Sequence, residues 1–438
     1  MTDNIGLMCL AYVTGLLVLS FAGLHVATVM FILAAVAALA VYGWPVVLNF
    51  GNLAWATSNG FLLLAAPMFI LLGEILLRSG VTDRMYAALA VWLNRIPGGL
   101  LHTNIGACAL FAATSGSSVA TAATIGTIAL PTLKSRGYDE RMAVGSIAAG
   151  GTLGILIPPS INMIIYGAMT DTSVGRLFVA GVVPGIVLTL CFMALIVVIA
   201  ILQPHISGRG EPTVSLMHKV RMLVEIVPIV MVFLVVMGSL YGGFATPTES
   251  AALGVLIATG IAWWEGRLNL TMLHDAFKST VRTTGMIMLI IIAAFFLNFV
   301  VSLLGIPQGI VQWVKELAIS PIATIWLLFA IYLVLGCFLE TLSMMITTIP
   351  IVTPVVVALG FDPVWFGIFI ILMCELALVT PPVGMNLYVV QGIRAPGSSI
   401  NDVIVGATPF VLVMMLMTVI LIYFPALALW LPNKMFNE

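Results

Sequence analysis

The sequence predicts an all-α, polytopic membrane protein, built as an inverted-topology repeat of about ten transmembrane helices plus two re-entrant hairpins. Three observations support this class: a low charge content, long runs without charge, and an internal duplication. Of the 438 residues, 16 are Lys or Arg and 17 are Asp or Glu, so 8% are charged while 62% are hydrophobic. Soluble proteins carry about 25% charged residues. This balance excludes a soluble enzyme, a disordered scaffold and a nucleic-acid-binding protein.

Runs long enough to cross a bilayer follow one another along the chain. No Asp, Glu, Lys or Arg lies between Asp3 and Glu74. A hydrocarbon core ~30 Å thick takes ~20 apolar residues per helix, so this stretch holds three spans. We place them near 5–22, 25–43 and 54–77. The N-terminus has no basic segment of the kind that precedes a secretory signal, so the first helix is expected to be retained.

The two halves of the chain repeat one another. At an offset of 223 residues, Pro131 matches Pro354, and the pair Pro158-Pro159 falls on Pro381-Pro382. The same offset relates Gly137 to Gly360 and Asp139 to Asp362. Because several helix breakers repeat in phase, duplication is favoured over chance agreement. The predicted units are a first repeat at 1–205, a cytoplasmic linker at 206–221 and a second repeat at 222–438.

Basic residues orient the two repeats. Five spans in each half make the second half enter the membrane from the opposite side, and an external N-terminus then puts most Arg and Lys inside. Arg136 and Arg141 fall inside only if 99–130 enters the membrane and returns to the same face. This inverted arrangement is a recurring plan of secondary transporters. Segments 82–94 and 307–317 are too short and polar to span, and we expect them to lie along the membrane surface.

Residues 99–130 and 321–353 are predicted to form the two re-entrant hairpins. Each is divided by a polar stretch, at 114–118 in the first and 336–343 in the second. The flanking arms of about 15 residues give ~20 Å of helix, which is too short to cross the hydrocarbon. A hairpin of this kind is tolerated where its tip faces protein or water.

Behind each hairpin the sequence predicts a helix that breaks at its proline pair. The first covers 141–168 and the second 363–392. Proline removes a backbone donor and disfavours the helical conformation in the residue before it, so carbonyl groups are freed near mid-membrane. Free carbonyls and hydroxyls suit Na⁺, and half-helix N-termini suit a carboxylate. The prolines could instead merely kink packed helices, but two breaks related by the repeat favour a binding site.

Isolated acidic residues differ in their predicted roles. Glu74 precedes Arg78 by four residues, the spacing of an intrahelical ion pair. Glu249 completes a capping box at a helix N-terminus. Glu340 and Glu375 lie in the second hairpin and the second broken helix, where a buried carboxylate is a candidate for function. Bonds to backbone N–H groups would explain them equally well.

Four stretches of the chain, 114–138, 150–167, 245–255 and 379–389, resemble the large membrane subunit of the tripartite ATP-independent periplasmic (TRAP) transporters. The resemblance implies an elevator-type permease, not an enzyme, in the bacterial inner membrane with a periplasmic N-terminus. It also implies a sodium gradient as driving force, with Na⁺ the coupling ion and no other cofactor. The expected partners are a small four-helix membrane subunit, a periplasmic binding protein that delivers an organic acid, and membrane lipid, with no nucleic acid.

The paired breaks place the predicted sites at the two hairpin tips. Na⁺ ligands are expected at Thr114, Ser115, Gly116, Gly151 and Gly154 in the first half, and at Gly336, Glu340 and Thr380 in the second. The substrate is expected between the tips, at Ser117, Ser118, Asn162, Asn386 and Thr341. The alternative is a stand-alone ion-coupled carboxylate symporter without a binding protein. A channel and a membrane-embedded enzyme are disfavoured, since the sequence has no pore-lining polar helix and no nucleophile–base pair.

Overall fold

The computed structural model describes residues 5–208 and 215–436, and within these ranges the regular structure is helical, without a β-strand. The first half holds α1 (Ile5–Phe21), α2 (Val26–Val41), α3 (Trp44–Leu48), α4 (Phe50–Ser58), α5 (Ala65–Ser79), α6 (Val81–Leu93), α7 (Leu100–Ser115), α8 (Ser118–Ser135), α9 (Glu140–Leu156), α10 (Ile161–Thr170) and α11 (Val174–Leu202). The second half holds α12 (Leu216–Met222), α13 (Val227–Tyr241), α14 (Pro247–Trp264), α15 (Leu270–Leu303), α16 (Ile306–Glu316), α17 (Pro321–Gly336), α18 (Thr341–Ala358), α19 (Pro363–Val379), α20 (Met385–Ile393), α21 (Ile400–Tyr423) and α22 (Ala426–Met435).

The polytopic all-α class is confirmed. Six helical stretches of the described residues are each long and apolar enough to cross a membrane: Phe61–Ser79, Glu140–Thr170, Val174–Leu202, Leu270–Leu303, Thr341–Ala358 and Ile400–Tyr423. Several of the ten predicted spans are shorter helices, such as the 16-residue α2. The number of helices that cross the membrane stays a prediction.

The span predicted at 54–77 is interrupted. Helix α4 ends at Ser58, and a 3₁₀ turn at Phe61–Leu64 leads into α5. The Ser58 hydroxyl and the Asn59 amide donate back to the carbonyls of Ala54 and Trp55, at 2.7 and 3.1 Å. These side chains compete with backbone pairing and end the helix where the sequence analysis continued it.

The second arms of both hairpins are longer than predicted. They were expected to end at 130 and 353, but α8 runs to Ser135 and α18 to Ala358. Pro131 in α8, and Pro350 and Pro354 in α18, lie inside the helices. A proline in a membrane helix removes one hydrogen bond, but neighbouring groups compensate, so the helix continues past it.

Corresponding helices of the two halves keep the offset seen in the sequence. Helices α9 and α19 begin at Glu140 and Pro363 and end at Leu156 and Val379, a shift of 223 residues at both ends. Each is capped by an aspartate one residue earlier, which accepts a backbone N–H of the first turn. The opposite orientation of the two halves in the membrane stays a prediction.

Helix α9 is buried along almost its whole length, between α7, α8, α19 and α21. The contact with α21 is closest where Gly145 faces Gly406. A Cβ built on Gly145 would overlap the carbonyl of Gly406, and one built on Gly406 would overlap the carbonyl of Arg141. Small residues let two helix backbones approach in this way. A second group of helices, α2, α5, α13, α14 and α15, packs together beside the first.

Arg394, at the end of α20, ties the first broken helix to α21. Its side chain is 3% exposed, and Nη2 lies 2.7 Å from Glu140 Oε1 and 3.2 Å from Asp402 Oδ2. Its Nη1 also donates to the Ser399 carbonyl at 2.7 Å, and a hydrogen bond made by a charged group contributes about 1.5–3 kcal/mol. We expect Arg394→Met to lower the free energy of unfolding by about 2 kcal/mol. Thermal melting in detergent would measure this.

Arg141→Met is the matched control for Arg394→Met. Arg141 pairs with the same Asp402, at 2.9 Å, but its side chain is 61% exposed. Exposed ion pairs contribute about 0–1 kcal/mol. Equal destabilisation by the two substitutions would contradict a structural role for the buried arginine.

Candidate functional site

The first hairpin tip packs directly on the break of the first broken helix. Gly116 joins α7 to α8 with a φ of +60°, a left-handed conformation that glycine adopts readily. A Cβ at Gly116 would lie 2.9 Å from the carbonyl oxygen of Pro159. Ser117 then caps α8 by accepting the backbone N–H of Ala120, at 3.4 Å. The tip therefore needs both the turn and the absence of a side chain at 116.

Two further contacts fix the first tip against α9. Ser118 Oγ donates to the carbonyl of Thr152 at 2.9 Å. A Cβ built on Gly154 would lie 2.7 Å from the carbonyl carbon and oxygen of Ser117, and one built on Gly151 would lie 2.6 Å from Ala122 Cβ. Glycine at 151 and 154 thus allows the backbones to approach within contact distance.

The second tip has the same position in its half but a different chemistry. Glu340 takes the capping place that Ser117 takes in the first tip, and its Oε2 accepts from the Ser343 N–H and hydroxyl, both at 3.1 Å. Thr341 Oγ1 donates to Glu340 Oε1, also at 3.1 Å. The Val383 N–H donates to the Cys337 carbonyl at 3.2 Å, which joins this tip to the second helix break.

A cavity of about 330 Å³ lies between the two tips. Seven predicted site residues line it: Ser115, Gly116, Ser117, Ser118, Asn162, Glu340 and Thr341. The opposite wall comes from α5 and α15, through Glu74, Thr283 and apolar side chains. The structure therefore brings residues from both halves of the chain to one chamber.

Four helices begin at this cavity. The first residues of α8, α10, α18 and α20 all line it. Helix N-termini carry partial positive charge and unpaired N–H groups, so together they favour an anion. Asn162 adds a free donor: its side chain is 4% exposed, and Nδ2 has no hydrogen-bond partner among the described residues. The first-tip side of the cavity is thus equipped to accept an anionic oxygen.

Glu74 and Glu340 are the carboxylates on the cavity wall. The predicted ion pair of Glu74 with Arg78 is confirmed, and Glu74 Oε1 also accepts from Ser279 Oγ of α15 at 2.6 Å. The sequence analysis missed that Glu74 and Thr283 line the chamber. Nothing in their local sequence reveals it, because the packing of α5 and α15 opposite the tips decides it. The capping box of Glu249 is likewise confirmed.

The oxygen atoms at the first tip match the chemistry of Na⁺. Ser115 Oγ lies 3.0 Å from Thr121 Oγ1, while the Thr114 hydroxyl donates to the Phe111 carbonyl at 2.9 Å. Hard cations prefer hydroxyl and carbonyl oxygens of this kind. The described residues hold no group of three or more His, Cys, Asp or Glu side chains that would bind a transition metal.

Several predicted residues lie away from the cavity. Asn386 was predicted between the tips, but its Nδ2 donates to the Ala148 carbonyl at 3.1 Å and its side chain packs beside Gly151. Helix α20 turns it towards α9, where it joins the two halves. In the second half, Gly336 contacts Ala377, and Thr380 Oγ1 donates to the Leu376 carbonyl at 2.6 Å.

The family model for the DctM component of the tripartite ATP-independent periplasmic transporters matches residues 13–427. A C4-dicarboxylate TRAP transporter large permease protein of Pseudomonas aeruginosa is 36% identical over 86% of this chain and 87% of its own. A sialic acid TRAP transporter large permease protein of Vibrio cholerae is 31% identical over 86% of this chain and 87% of its own. The solved YdaH transporter of Alcanivorax borkumensis shares the fold, with a TM-score of 0.57 at 14% identity, over 93% of this chain and 98% of its own.

Proposed function

We propose that this chain, which belongs to the DctM component family of the tripartite ATP-independent periplasmic transporters, uses a sodium gradient to take up an organic acid. Membership of the family confirms the resemblance of the sequence motifs. The observation that carries the proposal is the chamber between the tips. It combines four helix N-termini and the unpaired Asn162 amide with oxygen-rich tips.

A carboxylate is the substrate group that this chamber suits best. The positive ends of α8 and α10 and the Asn162 amide would bind its oxygens, since hydrogen bonds to charged groups are the strong ones. The names of two relatives, which say C4-dicarboxylate and sialic acid, support the same class.

The proposed sodium coupling is supported by the oxygen atoms at each tip. Thr114, Ser115, Gly116, Gly151 and Gly154 would supply side-chain or carbonyl oxygens to one ion, and Gly336, Glu340 and Thr380 to another. Bound Na⁺ beside the tips would hold the chamber in its substrate-binding shape. Uptake would then depend on Na⁺ even though no residue of the protein would contact both the ion and the substrate.

An elevator mechanism fits the division of the chamber walls. The tips and broken helices form one wall, which we propose moves, and α5 and α15 form the other, which we propose stays fixed. The two walls meet closely at Gly73 of α5, where a Cβ would lie 3.2 Å from Ser115 Cα. A small residue there lets the first tip pass α5.

Membership of the family also supplies the remaining parts of the system. It implies a small membrane subunit and a periplasmic binding protein as partners, and a place in the inner membrane. We propose that the binding protein delivers the acid to the chamber from the periplasm, on the side of the N-terminus. A stand-alone symporter remains the alternative, and reconstitution separates the two.

Proteoliposomes test both the coupling and the partners. With the permease, its small subunit and its binding protein present, we expect uptake of the cargo acid only with an inward Na⁺ gradient. A sodium ionophore should abolish uptake of the acid. A proton ionophore serves as the comparison, because it leaves the Na⁺ gradient intact. Uptake that ignores the Na⁺ gradient would refute the coupling. Uptake by this chain alone would favour the stand-alone symporter.

A further inference from the structure

Glu375 is a buried acidic residue that the proposed function assigns neither to Na⁺ binding nor to substrate binding. It lies in α19 with 0% of its surface exposed, and neither Oε1 nor Oε2 has a hydrogen-bond partner among the described residues. Glu340, the other acid singled out in the sequence, differs because it caps α18 and faces the chamber. Among the described residues, the Glu375 carboxyl therefore accepts no bond from a backbone N–H group. Such bonds would have given this buried acid a purely structural role.

An ionised carboxylate in such surroundings carries a large free-energy cost. Transfer of an unpaired charge into a low-dielectric interior is strongly unfavourable, and proteins avoid it by pairing, by metal coordination or by protonation. Pairing is not the route taken in this structure, since neither carboxyl oxygen of Glu375 accepts a hydrogen bond from a Lys, Arg or His side chain of the described residues.

The helices packed against α19 carry few other ionisable groups. They are Glu140 and Arg141 of α9, Tyr166 of α10, Arg176 and Cys191 of α11, Tyr332 of α17, Glu340 at the start of α18, Tyr388 and Arg394 of α20, Asp402 and Tyr423 of α21, and Lys434 of α22. On α19 and the second tip there are also Cys374 and Cys337. Arg141 and Arg394 are engaged with Glu140 and Asp402, and the Lys434 ammonium lies over Trp430.

A proton fits the enclosed Glu375 carboxyl better than a metal ion. Hard metal ions need several oxygen ligands arranged around them, whereas a proton needs no coordination shell. Among the described residues, no group of three or more His, Cys, Asp or Glu side chains is placed to hold a metal ion. The Cys374 thiol beside Glu375 points to the Thr341 carbonyl, at 3.7 Å.

We propose that Glu375 is a proton carrier of the moving wall, a role that rests on the proposed transport function. Packed as in this structure, its carboxyl holds a proton. When the second tip moves and water enters from the chamber, which Leu378 lines one turn away, the O–H bond breaks and the proton passes to water. The resulting carboxylate is hydrated, and α19 returns to its dry packing only after a proton has come back. Each cycle therefore releases and rebinds a proton at Glu375, so that uptake depends on pH as well as on Na⁺.

Infrared difference spectroscopy tests the protonation itself without any transport. The permease purified with its small subunit should show the C=O stretching band of a protonated carboxylic acid, shifted in deuterium oxide. Glu375→Gln should remove that band, while Glu316→Gln, at an exposed side chain of α16, should keep it. Absence of the band, or its survival in Glu375→Gln, would overturn the proposal.

Transport assays test whether the proton moves. In proteoliposomes with an imposed Na⁺ gradient, Glu375→Gln should lower net uptake at least tenfold and flatten its dependence on pH. Na⁺ binding measured by calorimetry should stay within twofold of wild type, and Glu316→Gln should behave as wild type. A protonated band with unchanged uptake and pH profile in Glu375→Gln would make the proton a fixed structural feature and overturn the carrier role. Failure of wild-type uptake to respond to Na⁺ would instead count against the proposed function.

Discussion

Replacing Gly154 with valine should lower Na⁺-driven uptake about 100-fold. The Cβ atom of the valine would lie 2.7 Å from the Ser117 carbonyl. The obstructing atoms belong to the backbone, so a change of side-chain rotamer cannot relieve the overlap. The tip must therefore move away from α9, together with Ser118 and the oxygens around it. A displacement of about 1 Å at a positioned site costs on the order of 100-fold in rate.

Gly285→Val is the matched control for this substitution. Gly285 lies in α15, and a Cβ there meets no atom within 4 Å. Uptake by this variant should stay near that of wild type. Calorimetric Na⁺ titration of Gly154→Val should show weakened binding, since the displaced tip carries the proposed ligands. Normal uptake and Na⁺ affinity in Gly154→Val would remove the tip–helix contact from the ion site.

Replacing Asn162 with leucine should weaken substrate binding by about 10- to 100-fold, since a hydrogen bond to a charged group contributes about 1.5–3 kcal/mol. The amide is buried, lines the chamber and has no partner there. Because the substrate-free protein leaves this donor unsatisfied, its removal should not lower thermal stability. Affinity from binding or uptake measurements, together with a melting curve, checks both halves of the expectation.

Asn386→Leu provides the contrasting variant. Its amide donates to the Ala148 carbonyl at 3.1 Å and holds α20 against α9. We expect this substitution to lower stability by about 1 kcal/mol, because it removes the buried hydrogen bond that joins α20 to α9. If Asn162→Leu destabilised the protein while leaving substrate affinity intact, Asn162 would be a packing residue and the anion-binding end of the chamber would have to be placed elsewhere.

Much of the candidate site was predictable, because the residues that make tips and breaks have strong local preferences. Gly116 adopts a left-handed φ and Ser117 caps α8, as small turn and capping residues do. The proline pairs end α9 and α19 at residues related by the repeat. Asp139 and Asp362, matched at the same offset, cap these two helices.

Other predictions failed where local preference was too weak to decide. Pro131 and Pro354 did not end their helices, because a helix packed among others tolerates the loss of single hydrogen bonds. Asn386 resembled Asn162 in sequence context, following a proline pair. Its helix turns it to a different neighbour, and only the packing of α20 on α9 reveals this.

The sequence by itself determined the membrane class, the repeat, the positions of the tips and breaks, and the family, because apolar length, helix breakers and their order are local properties of the chain. The tertiary structure decided which of those elements share a chamber and which wall faces them. Glu74, more than 250 residues from Glu340, lines the same cavity because α5 packs opposite the tips. It also decided that the buried Glu375 carboxyl has no hydrogen-bond partner within residues 5–208 and 215–436. Burial and pairing depend on contacts between distant helices, and the order of residues along the chain does not specify those contacts.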